Sequence, residues 1–139
     1  MDPTSGLNSM ALVCIVDDDV LVRKSLTSLL QSAGHIAASF ASGEEFLASP
    51  WHVGAACILL DLKLKGMNGL EVQRRLIEQR VAAPIVFISS HADDEAVRRA
   101  LERGARAFLH KPFSSDEMLE VVERLAVGSA TEPGRDEPG

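Results

Sequence analysis

Charged and hydroxyl side chains directly follow four short apolar runs of the sequence. The runs, each with the residues after it, are Leu12–Val16 with Asp17, Asp18 and Asp19; Ala56–Leu60 with Asp61; Pro84–Ile88 with Ser89 and Ser90; and Ala107–His110 with Lys111. Ligands bind at the carboxyl ends of the strands in an open parallel sheet. If the runs are parallel strands, carboxylates, a hydroxyl and an ammonium group meet at one edge of that sheet.

This set of side chains indicates phosphoryl-transfer chemistry. Neighbouring carboxylates repel one another, which raises their pKa values unless a cation joins them. Oxygen ligands without histidine or cysteine suit a hard ion that keeps several waters, and Mg²⁺ fits best. A carboxylate beside such an ion can attack a phosphorus centre and become an aspartyl phosphate. The ion, the lysine and the hydroxyl then share the charge of the transferred oxygens.

Each of these residues also has a plainer interpretation when it is taken alone. Asp17–Asp19 are suitable as an N-cap region of the first helix, and Asp61 as a turn residue. Ser89 is suitable as a cap or turn residue and Lys111 as a solvated surface lysine. Because all of them stand at the ends of alternating strands, the interpretations are linked, and the functional one is favoured.

The rest of the pattern predicts the elements that position these side chains. A fifth apolar run, His35–Phe40, completes five strands of the kind buried on both faces of a parallel sheet. Residues at helical spacing lie between the runs, with capping-box pairs and C-terminal glycines at the helix ends. The stripes are Val22, Leu26, Leu29, Leu30 and Ala33, and Met118, Val121, Val122 and Leu125; the caps are Ser42 with Glu45, Ser114 with Glu117, Gly34 and Gly104. These signals predict five βα units with right-handed crossovers.

Composition limits the class of protein. A chain of 139 residues and 15.0 kDa suits one domain, which we place at residues 11–127, between a flexible lead-in (1–10) and a flexible tail or linker (128–139). A net charge of −6 disfavours non-specific binding to nucleic acid or anionic membranes. The apolar run Ala55–Leu60 is far too short to span a bilayer, and so is the longest run, Met10–Val16. Cys14 and Cys57 lie in apolar runs and are interpreted as buried thiols in a reducing cytoplasm.

Over roughly Leu12–Val127 the chain resembles the receiver (phosphoacceptor) domain of bacterial two-component response regulators. The segments that carry the resemblance are IVDDD with Asp17 and Asp18, CILLDLKLKGMNGLE with Asp61, IVFISSHAD with Ser89, and AFLHKPF with Lys111. VRKSL, SGEEFL and ISSHAD are most similar to receivers of nitrogen-fixation-type regulators. The resemblance implies a doubly wound, flavodoxin-like parallel sheet in the order 2-1-3-4-5.

The resemblance implies a role for each acidic residue. Asp61 accepts a phosphoryl group from a histidine kinase. Asp18 and Asp61 bind Mg²⁺ directly together with the backbone carbonyl of Lys63, whereas Asp17 acts mainly through water.

The resemblance also implies a switch. Lys111 pairs with the phosphoryl group, and the Lys111–Pro112 peptide bond is cis. Ser89 turns towards the phosphate on activation, and Phe108 occupies the aromatic position that follows this movement. Phosphorylation is then expected to alter the fourth helix, the fifth strand and the fifth helix, through which a homodimer can form.

Three further positions concern the loops around the acceptor. Lys63 and His91 occupy variable positions that tune the lifetime of the phosphoryl group in the family. Lys65 stands where the loop after Asp61 usually has proline, so we expect a looser approach to the third helix.

The expected protein is a bacterial cytoplasmic signalling domain that catalyses only its own phosphorylation and dephosphorylation. Its expected partner is a sensor histidine kinase or a phosphotransfer protein, without direct nucleic-acid or membrane binding. Because no DNA-binding helix-turn-helix follows Val127, the chain is either a stand-alone receiver or a domain of a longer regulator.

Two other functions were weighed. A phosphohydrolase with an aspartyl nucleophile needs a second carboxylate two residues later, where this chain has Lys63. A flavodoxin-type carrier needs a hydroxyl-rich phosphate loop after the first strand, where Asp17–Asp19 repel phosphate. The glycine fingerprints of dinucleotide and P-loop sites are missing from the sequence.

Overall fold

The computed structural model describes residues 11–90 and 94–135 as a parallel sheet with helices packed on both faces. The elements in chain order are β1 Leu12–Val16, α1 Val20–Ser32, β2 Ile36–Phe40, α2 Gly43–Ala48, a short 3₁₀ turn Trp51–Gly54, β3 Cys57–Asp61, α3 Gly69–Glu78, β4 Ile85–Ser89, α4 Asp94–Glu102, β5 Ala107–His110 and α5 Ser115–Arg135. The strand order is β2-β1-β3-β4-β5, and every neighbouring pair is parallel. The predicted fold class is therefore confirmed.

The strands lie where the apolar runs predict them, each within one residue. All five side chains of β3 and all five of β4 are buried, because helices cover both faces of the central strands. The pairing aligns the strand ends: Val16 is paired with Leu60, Asp61 with Ile88, and Ser89 with His110. Since the next residue after each paired position lies at the same edge, the register collects the polar side chains there.

The two cysteines lie in the two hydrophobic clusters on opposite faces of the sheet. Cys14 belongs to the cluster that includes Phe46, and Cys57 to the one that includes Leu30. Burial raises the pKa of both thiols to about 12. They are therefore protonated, unpaired side chains of the core, as the sequence predicts.

The helix ends carry the predicted caps. The Ser42 hydroxyl accepts a hydrogen bond from the Glu45 N–H at 3.0 Å, and the Ser114 hydroxyl accepts one from the Glu117 N–H at 3.0 Å. Gly34 follows α1 with a φ of 92°. This left-handed conformation is one that glycine adopts without steric cost, so the chain turns directly from α1 into β2.

The last helix extends further than expected. The sequence predicts a tail from Gly128, whereas α5 continues through Arg135. Glycine and proline have the lowest helix propensity, but here they do not end the helix that leads into them. Residues 1–10 and 136–139 lie outside the described residues, so the predicted lead-in and the domain boundaries remain predictions. No helix among the described residues has both the length and the apolar character needed to cross a bilayer.

Candidate functional site

Three aspartates meet at the carboxyl edge of the sheet. Asp17 follows β1, Asp61 ends β3, and Asp18 stands one residue further along the loop into α1. One carboxylate oxygen from each residue lies within 4.8 Å of the other two. Asp17 is fully buried and Asp61 is 5% exposed. The structure therefore brings together the acidic residues that the sequence pattern singles out.

Lys111 joins this cluster from the end of β5. Its Nζ lies 2.8 Å from Oδ2 of Asp17 and 3.6 Å from Oδ2 of Asp61. Burial alone would lower the pKa of Lys111, but its hydrogen bond to Asp17 and the charges of both aspartates raise it above the ordinary value. The lysine is therefore a charged group, and it stands against more than one carboxylate.

The surroundings of Asp61 raise the pKa of its carboxyl group. Burial raises the pKa of this carboxyl from 3.8 to about 6, and the charge of Asp17 adds to the rise. The Lys63 N–H, which donates to Oδ1 of Asp61 at 3.1 Å, and the charge of Lys111 act in the opposite direction. The net rise means that burial, reinforced by the charge of Asp17, outweighs the stabilisation that the Lys63 N–H and Lys111 give to the ionised carboxylate.

The three consecutive aspartates after β1 have different roles in the structure. Asp19 is the N-cap of α1, because its Oδ1 accepts the Leu21 N–H at 2.9 Å. Asp17 Oδ1 accepts the Asp19 N–H at 2.9 Å, and its backbone carbonyl accepts a hydrogen bond from Arg23 at 2.8 Å. The plainer capping interpretation is thus correct for Asp19, while the carboxylates of Asp17 and Asp18 are directed to the cluster.

The loop after β3 is tied to its surroundings by backbone donors. The Lys65 N–H donates to Oδ2 of Asp18 at 3.2 Å, and the Met67 N–H donates to Oε2 of Glu44 at 3.2 Å. Proline at position 65 would lack the donor that reaches Asp18. The expectation of a looser loop therefore needs correction, because Lys65 adds a contact between this loop and the acidic cluster.

The predicted switch residues lie on neighbouring strands, Ser89 at the carboxyl edge and Phe108 two residues before the end of β5. Ser89 is 1% exposed at the end of β4, and its carbonyl accepts the Lys111 N–H at 2.9 Å. Phe108 is half-buried in β5, with its ring 6.2 Å from that of His110 in an edge-on arrangement. The Lys111–Pro112 peptide bond is cis, as the resemblance implies. His91 lies outside the described residues.

Glu44 and Arg23 contribute contacts that sequence reasoning missed. Glu44 lies at the start of α2, 23 positions from the Met67 N–H that it accepts. Arg23 caps a carbonyl six positions earlier, on the first turn of α1. Neither position has a local pattern that sets it apart from an ordinary surface charge.

The donor set fits Mg²⁺. The three carboxylates supply only oxygen ligands, one from each residue within 4.8 Å of the other two, and oxygen is the donor that Mg²⁺ prefers in proteins. The raised pKa of Asp61 marks a site where added positive charge stabilises the ionised carboxylates. Asp17, Asp18 and Asp61 are the residues positioned to hold the ion.

The fold and the site together define a phosphoacceptor domain of the flavodoxin-like class. The family model of the response regulator receiver domain matches residues 13–123. The chain belongs to this family. It is a receiver domain of two-component signal transduction, and phosphorylation on an aspartate follows from that membership. Receiver domains bind Mg²⁺ at an acidic pocket, which here corresponds to the aspartate cluster.

Individual relatives place the chain within the family. It is 38% identical over 115 residues to nodulation protein W of Bradyrhizobium diazoefficiens, which covers 83% of this chain and 51% of that protein. It is 32% identical over 111 residues to the transcriptional regulatory protein FixJ of the same organism, covering 80% and 54%. These similarities agree with the predicted likeness to nitrogen-fixation-type receivers.

A solved structure supports the fold. The CheY-like response regulator receiver domain protein from Methanospirillum hungatei is 25% identical to this chain. Its structure superposes with a TM-score of 0.82, over 89% of this chain and 99% of that one. By contrast, the chain spans about half the length of the two curated relatives.

Proposed function

We propose that Asp61 accepts a phosphoryl group from a sensor histidine kinase or a phosphotransfer protein in a Mg²⁺-dependent reaction in the bacterial cytoplasm. The observation that carries this proposal is the convergence of Asp17, Asp18 and Asp61 with Lys111 at the carboxyl edge of the sheet. Receiver domains as a family take their phosphoryl group from such partners. The only reaction catalysed by the chain is then its own phosphorylation and dephosphorylation.

The contacts of the three carboxylates are compatible with the roles that the family resemblance implies for them. Both oxygens of Asp17 are engaged, one by the Asp19 N–H and one by Lys111. Asp18 Oδ2 accepts the Lys65 N–H, and Asp61 Oδ1 accepts the Lys63 N–H. As the resemblance to receiver domains implies, Asp18 and Asp61 would hold the ion directly with the backbone carbonyl of Lys63, while Asp17 would act mainly through water. When bound, Mg²⁺ supplies positive charge to the oxygens of the transferred group.

The transfer itself needs one nucleophile and one mobile cation. An ionised Asp61 oxygen attacks phosphorus, an O–P bond forms, and the P–N bond of the donor phosphohistidine breaks with its electron pair retained by the imidazole. Lys111 Nζ lies 3.6 Å from Asp61 Oδ2 and is therefore placed to follow the new negative charge. The hydroxyl of the buried Ser89 donates a hydrogen bond to an oxygen of the transferred phosphoryl group.

The output is a change in the surface around β5. Movement of Ser89 towards the phosphoryl group allows the half-buried Phe108 to turn inward, which alters α4, β5 and α5. These three elements then form a phosphorylation-dependent homodimer surface. Lys63 and His91 tune the lifetime of the phosphoryl group.

The partner approaches over an apolar groove next to the site. A cavity of about 480 Å³ runs between α1 and the segment after β5, and it is lined mainly by apolar side chains and by Lys111. Val20 and Leu21 on α1 are 48% and 71% exposed. A phosphodonor helix with an apolar face fits this groove and brings its phosphohistidine to Asp61.

Labelling with a small phosphodonor tests the acceptor. With Mg²⁺ and acetyl phosphate, the wild-type chain is expected to gain one phosphoryl group that is labile to alkali and hydroxylamine, and Asp61→Asn to gain none. Asp19→Asn is the matched control, because it makes the same charge change while asparagine keeps the helix cap. Equal labelling of Asp61→Asn and the wild type would refute the assignment.

Beryllofluoride, which mimics a bound phosphoryl group, tests the output surface. We expect slower backbone hydrogen exchange in α4, β5 and α5 after its addition with Mg²⁺. Protection confined to the loops around Asp61 would show that the site and this surface are not coupled.

A further inference from the structure

Gly69, the first residue of α3, lies directly against the backbone of the proposed acceptor. Its N–H donates to the Leu62 carbonyl at 3.0 Å, and the residue is buried. A Cβ at position 69 would lie 2.5 Å from the Asp61 carbonyl oxygen, 2.8 Å from the Leu62 Cα and 3.1 Å from the Leu62 carbonyl oxygen. No side chain fits there unless the backbone moves.

Gly43, the first residue of α2, provides a contrast within the same molecule. A Cβ at this position would collide with Cγ2 of Val72, and the next atom it would meet is the Met67 carbonyl oxygen at 3.4 Å. Both helices thus begin at a glycine that is pressed against a neighbour. At Gly43 the obstacle is the end of a side chain, whereas at Gly69 it is the peptide that links Asp61 to Leu62.

We propose that Gly69 is a positioning residue for the phosphoacceptor, whose missing side chain lets α3 fix the Asp61–Leu62 peptide at the acidic cluster. This inference rests on the proposed function, because it assigns Gly69 a role in the geometry of that site. Gly69 has no contact with the reacting atoms and acts only through the backbone of Asp61.

The peptide cannot move away from an added methyl group without disturbing the site. On its other side the Leu62 N–H donates to the Ile88 carbonyl at 2.9 Å, which holds the peptide in the sheet. If α3 moves instead, it carries the end of the loop that presents the Lys65 N–H to Asp18. Either displacement changes the spacing between Asp61 and Asp18.

Metal affinity is sensitive to displacements of this kind. Changing the groups that orient metal ligands typically lowers metal affinity by about 10- to 100-fold. We therefore expect Gly69→Ala to weaken Mg²⁺ binding by at least about tenfold. Gly43→Ala is expected to lower stability and to leave Mg²⁺ affinity unchanged, because Val72 and not the acceptor gives way.

The test measures the Mg²⁺ dissociation constant from ion-dependent thermal stabilisation and from the amide spectra of the folded wild-type, Gly69→Ala and Gly43→Ala chains. Val72→Ala in the Gly43→Ala background should recover stability, which confirms the side-chain clash. Equal Mg²⁺ affinity in Gly69→Ala and the wild type would overturn the inference about Gly69. If the wild type itself shows no Mg²⁺ binding, the proposed function fails instead.

A second measurement on the wild type covers the case in which Gly69→Ala does not fold. During a Mg²⁺ titration, the amide signal of Gly69 should shift with the same dissociation constant as that of Asp61, while the amide of Gly43 stays in place. A Gly69 amide that is insensitive to Mg²⁺ would overturn the inference without the variant.

Discussion

The two ends of the sheet differ in their role: the turns at the amino end stabilise the fold, and the loops at the carboxyl end form the candidate site. At the amino end, α1, α3 and α4 turn into the following strand by one repeated device, in which an N–H donates to the carbonyl five positions earlier. The three bonds are His35 to Leu30 at 3.0 Å, Val81 to Leu76 at 3.0 Å and Ala105 to Ala100 at 3.1 Å. The residue before each donor has a positive φ.

At the carboxyl end the described loops differ more from one another, although the Oδ1 atoms of Asp17 and Asp61 each accept the N–H two residues later. One strand leads into a capped aspartate loop, another into a loop tied to Asp18 through Lys65, and a third into a cis peptide bond beside Lys111. The ionised form of Asp61 is disfavoured there, first because the residue is buried and second because of the charge of Asp17, and its pKa is raised accordingly. The amino end and the core therefore stabilise the fold, whereas the ionised carboxylates at the carboxyl end destabilise it until a cation binds.

The largest effect is expected from the end that supplies stability. Leu30 is fully buried at the last turn of α1, so Leu30→Ala should lower the free energy of unfolding by about 3 kcal/mol through lost burial and a residual cavity. Urea unfolding measures this loss. Mg²⁺ affinity of the folded variant should stay at the wild-type value, and a large change in affinity would break the proposed separation of the two ends.

The next effect has the opposite sign. Because the folded pKa of Asp61 is raised from 3.8 to about 6, its ionised form destabilises the fold without Mg²⁺. Asp61→Asn should therefore be more stable than the wild type by about 2 kcal/mol at about pH 7.5. The sign follows from the raised pKa: wild-type stability relative to the variant is lost as the pH rises from about 4 to above 6, and the gap closes at about pH 4. Urea melts at both pH values check this, and a gap that persists at low pH would point to a cause other than ionisation.

Mg²⁺ should offset the destabilisation caused by the ionised carboxylates at the carboxyl end. At an ion concentration tenfold above its dissociation constant, the wild type should gain about 1.4 kcal/mol of stability. Asp18→Asn should lose most of this gain, because it removes a proposed direct ligand, while Asp19→Asn should keep it. Thermal melts with and without the ion measure the difference; identical melts of the wild type in both conditions would contradict a metal site.

The smallest effect concerns the one turn at the amino end that lacks glycine. Arg80 has a φ of 60° where the other two turns have Gly34 and Gly104. Arg80→Gly should raise stability by up to about 1 kcal/mol, because glycine adopts this conformation without the steric cost of a side chain. Gly104→Ala, the matched change at an equivalent turn, should lower it. A destabilised Arg80→Gly would mean that the arginine side chain contributes more than its backbone costs.

These turns also show what the sequence reveals and what it hides. Gly34 and Gly104 are recognised in advance because glycine after a helical stripe is a local signal, whereas Arg80 carries no such signal and its turn becomes visible only in the structure. The strands are predictable for a similar reason, since a buried parallel strand is a continuous apolar run. The end of α5 is not, because composition alone does not say where a helix stops.

The candidate site divides in the same way. Asp17, Asp61, Ser89 and Lys111 are predictable because each follows or ends a strand, and the sheet topology then brings them together. The contacts of the Lys65 N–H with Asp18 and of Gly69 with the Asp61 backbone are not predictable from local sequence, because they depend on where the folded chain brings backbone atoms together.

The most direct test of the central claim is the chemical identity of the phosphorylated residue. After phosphorylation with acetyl phosphate and Mg²⁺, borohydride reduces the acyl phosphate to an alcohol, and peptide mass spectrometry then locates the modified side chain. The account predicts modification at Asp61 alone. Modification at Asp17 or Asp18, or unmodified aspartates throughout, would contradict it.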